Sequence, residues 1–173
     1  MKKLLYVLLF LSVTSCSSTE PPKVPIKIIK KNEAPFEIKT LLKDIEGVPW
    51  SINVLPDGNF LISLREGSLK IFNPENGKMI NILGVPKVVA ESQGGLLDIA
   101  LHPDFKINKI IYLSYSGKVE KQATTKLAVA NLNGNQLENV KDIFVALPAQ
   151  NTFHHYGSRI VFDNSGHLFL SIG

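Results

Sequence analysis

Two adjacent histidines, His154 and His155, are the side chains of this sequence best suited to proton transfer. A neutral imidazole titrates near pH 7, so it can take a proton from a hydroxyl group. A histidine in a loop is nevertheless more often a solvated or structural residue than a base. Neighbouring imidazoles also shift each other's titration, because two protonated rings repel. The residue types alone therefore leave the role of this pair open.

A glutamine followed by two glycines, Gln93-Gly94-Gly95, is a candidate for ligand binding. An amide side chain offers both a hydrogen-bond donor and an acceptor. It can hold a polar ligand, or it can satisfy backbone groups in a tight turn, and both interpretations stand at this point.

The aspartates do not form a metal-binding pattern. We interpret four of them as lying in separate turns: Asp57, Asp98, Asp104 and Asp163. Calcium takes six to eight oxygen ligands, and the sequence offers no such cluster. We therefore predict no metal site within this chain.

The amino terminus has the layout of an export signal. Two lysines precede an apolar run from Leu4 to Leu11, which is far shorter than the ~20 residues of a membrane-spanning helix. The run ends in Val13-Thr14-Ser15-Cys16, which looks like a bacterial lipobox. Cys16 is the only cysteine, so no intramolecular disulfide can form. We predict a lipoprotein signal peptide at residues 1–15 and lipidation of Cys16, and hence an exported protein that a lipid anchors to the membrane and that faces the periplasm or the cell exterior.

Residues 16–40 are predicted to tether the folded part to that membrane. The segment is rich in proline and lysine, and such chains are extended and semi-rigid. Six of the 19 lysines and arginines lie before residue 32, and beyond it the charges nearly cancel. The net charge of +4 therefore marks no basic face on the folded part, and we exclude nucleic acid as a partner.

The remainder, residues 41–173, alternates apolar and polar residues in short runs separated by turns. Pro56-Asp57-Gly58-Asn59 joins two such runs, because proline presets the first turn angle and glycine accepts a positive φ. A second hairpin turns at residues 73–78, so four short strands occupy about 40 residues, the size of a propeller blade. A strand, a turn and an apolar strand recur near residues 102 and 163. The predicted class is all-β, with two to three four-stranded antiparallel meanders of an incomplete β-propeller.

Three segments in this order resemble one enzyme family. They are Gly47-Val48-Pro49-Trp50 with Leu55-Pro56-Asp57-Gly58, then residues 93–105 (QGGLLDIALHPDF), then residues 154–163 (HHYGSRIVFD). The family is that of the pyrroloquinoline-quinone (PQQ)-dependent soluble aldose (glucose/sorbosone) dehydrogenases, which are six-bladed β-propellers. The likeness runs from about Leu42 to Gly173 and is expected to cover the amino-terminal half of such an enzyme.

The resemblance assigns roles to two residues. His155 matches the catalytic base, because an aromatic residue, Gly, Ser and Arg follow it as in the family's motif, although His154 stands where the family has an acid or amide. Gln93 matches the glutamine that hydrogen-bonds the quinone, and Gly94 and Gly95 after it would let the backbone approach that planar ligand closely. We interpret Trp50 as blade core and Arg159 as a partner of some carboxylate that holds the loop.

The resemblance also implies groups that the printed sequence lacks. An acid that orients the base would follow Gly173, and the calcium ligands and an Arg-Asn pair would come later. The implied function is oxidation of the C1 hydroxyl of an aldose to a lactone, with hydride transfer to PQQ and then electrons to an external acceptor. We expect the 173-residue chain alone to be inactive. The alternative is a non-catalytic propeller lipoprotein that binds a glycan or a protein partner.

Overall fold

The computed structural model describes residues 37–149 and 151–173. The predicted signal peptide, Cys16 and all but the last residues of the predicted tether lie outside them. The compact unit from Lys39 to Gly173 contains every element below. No helix in this described part is long and apolar enough to cross a membrane.

The first sheet is a four-stranded antiparallel meander. Its strands are β1 (Pro49–Val54), β2 (Phe60–Leu64), β3 (Ser68–Phe72) and β4 (Met79–Ile82), in that order across the sheet. The predicted turn at residues 56–59 joins β1 to β2, with Val54 opposite Phe60, and Gly58 has φ +85° there. The second predicted hairpin closes where the Asn73 N–H donates to the carbonyl of Lys78 at 2.9 Å.

The second sheet repeats this plan with longer strands. It contains β5 (Leu96–Leu101), β6 (Ile110–Val119), β7 (Gln122–Asn133) and β8 (Gln136–Val145), again in chain order. A single-turn helix, α1 (Phe105–Asn108), lies between β5 and β6 and buries Phe105. The prediction of a plain turn there was incomplete, because the four residues after Asp104 form this helical turn.

A third sheet contains β9 (Ile160–Phe162) and β10 (Leu168–Leu170), paired antiparallel. The three sheets thus give two complete four-stranded meanders and one further hairpin. This confirms the prediction of an all-β chain built from antiparallel meanders. The meanders are fewer than a complete propeller contains.

The core lies between the sheets. Leu61 of the first sheet packs with Leu96, Ile111 and Leu113 of the second, and all four are fully buried. Each such side chain contributes about 1.5–3 kcal/mol relative to exposure. A second cluster, which includes Leu127 and Ile160, joins the second sheet to the third.

Candidate active site

Gln93 and His155 are in direct contact, although 62 residues separate them. The side-chain oxygen Oε1 of Gln93 accepts a hydrogen bond from the backbone N–H of His155 at 2.9 Å. The backbone N–H of Gln93 donates to the carbonyl of Phe153 at 3.3 Å. The structure therefore brings the two predicted site residues together. Their roles in binding and catalysis remain predictions.

The two residues share a cleft of about 350 Å³. Its other lining residues are Trp50, Leu97, Tyr156 and Gly157. The contact with His155 uses only the oxygen of the Gln93 amide, so the amide nitrogen remains a donor. The cleft thus combines a hydrogen-bond donor, an imidazole and an indole, which together suit one edge of a planar molecule that carries carbonyl groups.

His154 has different surroundings. Its Nδ1 atom lies 2.8 Å from the hydroxyl oxygen of Ser92, and Arg65 donates a hydrogen bond to the carbonyl of Ser92. The rings of His154 and His155 are 6.4 Å apart between centroids and steeply inclined. Both histidines border a larger cleft of about 750 Å³, but only His155 also lines the cleft of Gln93.

The segment from Phe153 to Ser158 adopts an unusual backbone. Phe153, His155 and Ser158 have φ values of +53°, +58° and +94°, a region that costs a non-glycine residue about 1–3 kcal/mol. Hydrogen bonds to neighbouring strands hold this conformation. The Thr125 hydroxyl donates to the carbonyl of Tyr156 and the Ser114 hydroxyl to that of Ser158, each at 2.7 Å.

The two glycines after Gln93 approach protein atoms, not an open face. A Cβ atom on Gly95 would lie 1.9 Å from the carbonyl oxygen of Arg65. One on Gly94 would lie 2.5 Å from the carbonyl oxygen of Val89. The approach of these glycines to a planar ligand stays a prediction, because these contacts concern only the side on which a Cβ would stand. They allow the backbone of Gln93 to lie tightly against neighbouring segments of this chain.

Trp50 was predicted to be blade core, and this was wrong. Its side chain is 44% exposed on β1 and borders the cleft of Gln93 and His155. Alternation explains the difference: Ser51 and Asn53 bond to the second sheet, so Trp50 and Ile52 face the other way.

Tyr156 is buried beside the base candidate, and its hydroxyl finds no hydrogen-bond partner in the described part of the chain. Burial, and secondarily the charge of Glu91, raises the pKa of Tyr156. A neutral phenol therefore forms part of the wall between the two clefts.

Sequence reasoning missed one polar residue, Asp98. We placed it in a turn, but it lies in β5 and is only 3% exposed. It is the carboxylate predicted for Arg159, whose guanidinium lies 3.3 Å away. One sequence feature could have revealed its role. Asp98 is the single charged residue in the apolar run Leu96–Leu101, and a carboxylate buried in such a strand needs hydrogen-bond partners.

In residues 37–149 and 151–173, no group of three His, Cys, Asp or Glu could hold a metal ion.

Known proteins are similar to this chain in sequence and in fold. Residues 47–173 match the Glucose / Sorbosone dehydrogenase family. The aldose sugar dehydrogenase YliI of Escherichia coli (strain K12) is 36% identical over 137 residues, which cover 77% of this chain and 37% of that protein. A crystal structure of a glucose dehydrogenase superposes with a TM-score of 0.74 at 36% identity and covers 78% of this chain and 40% of that one.

A third match carries a cofactor. The PQQ-bound form of the aldose sugar dehydrogenase from Streptomyces coelicolor superposes with a TM-score of 0.65 at 26% identity, and covers 79% of this chain and 40% of that one. The chain therefore spans about two fifths of the length of these proteins. The family match covers most of the chain, and the fold agrees with it, so this protein belongs to the glucose/sorbosone dehydrogenase family.

Proposed function

We propose that the full-length protein oxidises the C1 hydroxyl of aldose sugars to lactones with PQQ as hydride acceptor, and that this chain supplies the amino-terminal part of its propeller. The observation that carries the proposal is the hydrogen bond between Gln93 and His155, at the edge of one cleft. The PQQ-bound relative supports the choice of cofactor.

In this proposal His155 is the general base. Its imidazole takes the proton of the C1 hydroxyl while the C1 hydrogen departs with its electron pair, so the sugar loses two electrons and becomes a lactone. PQQ, when bound, supplies the electrophilic acceptor for that hydride, and an external acceptor then removes the electrons. We assign the base to His155 because it shares the cleft with Gln93, whereas His154 is engaged by Ser92.

Gln93 has two tasks in this scheme. Its oxygen fixes the backbone of His155, and its amide nitrogen donates a hydrogen bond to an oxygen of the quinone cofactor. Because the oxygen is already bonded to the His155 N–H, the amide orientation is set before the ligand binds. Such preorganisation removes an ordering cost from binding.

The described residues do not fit a calcium site. They offer no cluster of oxygen ligands, so we derive no step through calcium and assign it no residue of this chain. We propose that its ligands, and the acid that orients the base, come from other parts of the full-length protein. The 173-residue chain alone should then be inactive.

We further propose that Cys16 carries a lipid that anchors the exported protein to a membrane, facing the periplasm or the cell exterior. The motif Val13-Thr14-Ser15-Cys16 supports this. Metabolic labelling with a fatty acid tests it, with Cys16→Ser as the unlabelled control. Labelling that persists in the variant would overturn the proposal.

The activity is tested by dye reduction with the purified full-length protein, added PQQ, calcium and a panel of aldoses. We expect reduction that needs both PQQ and sugar, and none from the 173-residue chain. If the full-length protein neither binds PQQ nor reduces the dye, the non-catalytic propeller that binds a glycan or protein partner is the better account.

A further inference from the structure

Asp98 joins all three sheets through one carboxylate. Its Oδ1 accepts a hydrogen bond from the Ser51 hydroxyl of β1 at 2.7 Å. Its Oδ2 accepts one from the backbone N–H of Ile160 in β9 at 2.8 Å, and Arg159 contacts the same oxygen at 3.3 Å. Asp98 itself belongs to β5, so the first, second and third sheets meet at this side chain.

The contact of Asp98 with Ile160 has the same sequence offset as the contact of Gln93 with His155. Both pairs are 62 residues apart, and so are Ser92 and His154. The two segments therefore run side by side in one direction, with a hydrogen bond at each end of a six-residue stretch. Asp98 holds one end of this stretch and Gln93 the other.

From this geometry we propose that Asp98 is a positioning residue, which fixes the segment carrying His155 against the segment carrying Gln93. Its action on turnover rests on the function proposed above. The segment adopts a strained backbone, so it needs several fixed points to keep that shape. A displacement of about 1 Å at a reacting group can cost on the order of 100-fold in rate.

The hydrogen-bond donors around residue 98 require a carboxylate at that position. Every neighbour donates: the Ser51 hydroxyl, the N–H groups of Ile99 and Ile160, and the Arg159 guanidinium. An asparagine can accept at only one of its two terminal atoms. In either orientation its NH₂ group would face a backbone N–H, so at least one of these contacts is lost.

The test compares Asp98→Asn with Asp163→Asn in the full-length protein. Asp163 is a matched control, because it accepts three hydrogen bonds in the turn after β9 but does not touch the His155 segment. Hydrogen exchange followed by mass spectrometry reports on residues 153–160, with residues 110–119 of β6 as an internal reference. We expect Asp98→Asn to speed exchange in 153–160 by about tenfold or more, the control to leave it unchanged, and β6 to stay protected.

Turnover gives the second readout. We expect kcat per PQQ-loaded site to fall at least about tenfold in Asp98→Asn, with little change in the KM for sugar, because position and not sugar binding is lost. Loss of stability alone would lower the amount of loaded enzyme, not its kcat. Exchange in 153–160 that stays within about twofold of wild type would overturn the proposal, whatever the activity.

A second variant covers the case in which Asp98→Asn does not fold. Arg159→Gln removes a guanidinium whose side chain is 74% exposed, so it should be tolerated. We expect a smaller increase of exchange in the same segment, and no increase would contradict the proposal. A wild-type protein without PQQ-dependent activity would refute the proposed function only, since the exchange measurement needs no turnover.

Discussion

The side-chain oxygen of Gln93 accepts a hydrogen bond from the backbone N–H of His155, at 2.9 Å and across 62 residues of sequence. This one contact links Gln93, the residue predicted to bind the cofactor, to His155, the predicted base. It also divides the glutamine amide into a structural half, the oxygen, and a half available to a ligand, the nitrogen.

Substitutions at Gln93 should distinguish the structural role of the amide oxygen from the ligand-binding role of the amide nitrogen. Gln93→Glu keeps an acceptor for the His155 N–H but removes the donor, whereas Gln93→Ala removes both. We expect both variants to weaken PQQ binding by about 10-fold or more, as the loss of one good hydrogen bond does. Only Gln93→Ala should also speed amide exchange at His155. Titration with PQQ and hydrogen exchange measure the two effects, and equal exchange in both variants would contradict the division.

Substitutions at the paired histidines should identify the base. We expect His155→Ala to lower kcat by about 10²–10⁴-fold, the usual contribution of a general base. His154→Ala loses a contact with Ser92 and should lower kcat far less. Steady-state kinetics of the full-length protein measure both, with circular dichroism to show that each variant is folded. The reverse order of effects would make His154 the base.

Tyr156→Phe should stabilise the protein. The tyrosine hydroxyl is buried and has no hydrogen-bond partner among residues 37–149 and 151–173, so its removal should relieve a desolvation cost of about 1 kcal/mol. Tyr115→Phe is the matched control, because the Tyr115 hydroxyl donates to Asp142 and its loss should destabilise by about 2 kcal/mol. Urea denaturation measures the free energy of unfolding of each variant. A destabilised Tyr156→Phe would show that the hydroxyl does bond in solution.

Acid should weaken the turn that joins β9 to β10, where Asp163 accepts its hydrogen bonds. Hydrogen bonds from the His167 side chain, and then from backbone N–H groups, lower the pKa of Asp163 from its usual 3.8. A carboxyl whose folded pKa is lowered stabilises the protein fully above its unfolded pKa, and this contribution is lost as the pH falls through the folded value.

We therefore expect Asp163→Asn to cost stability above about pH 4 and to approach the wild type in stronger acid. Chemical denaturation of both proteins from pH 2 to pH 6 measures this. A difference that stays constant over the range would show that the charge of Asp163 contributes nothing.

Gly95→Ala should prevent folding or destabilise the protein severely, by more than about 3 kcal/mol. Gly95 has φ +143°, and an added Cβ would collide with the carbonyl of Arg65, which is backbone and cannot move aside. Gly58→Ala is a fair comparison, because it also has a positive φ but open space around it. It should cost only about 1 kcal/mol. Thermal melts of both variants measure the contrast.

The hairpins could be predicted from sequence because their causes are local. Proline and glycine in the turn at residues 56–59, and asparagine in the turn at 73–78, set φ or bond to backbone within a few residues. The motif around His155 likewise named the base candidate, and Gln93 was named in the same way.

The burial of two residues was predicted wrongly, because burial depends on which faces of distant strands meet. Trp50 is apolar and was assigned to the core, but β1 turns its Ser51 face toward the second sheet. Asp98 is charged and was assigned to a turn, but donors from β1 and β9 converge on it inside the protein. No pattern within either strand contains that information.

The sequence by itself thus determined the strands, their turns, the family and the two candidate residues, because each rests on neighbours in the chain or on a motif. Only the tertiary structure decided that Gln93 holds His155, that Asp98 ties three sheets, and that Gly95 lies against Arg65. These contacts join residues far apart in the chain. Their hydrogen bonds depend on how the sheets face one another, which the packing of apolar side chains between the sheets determines.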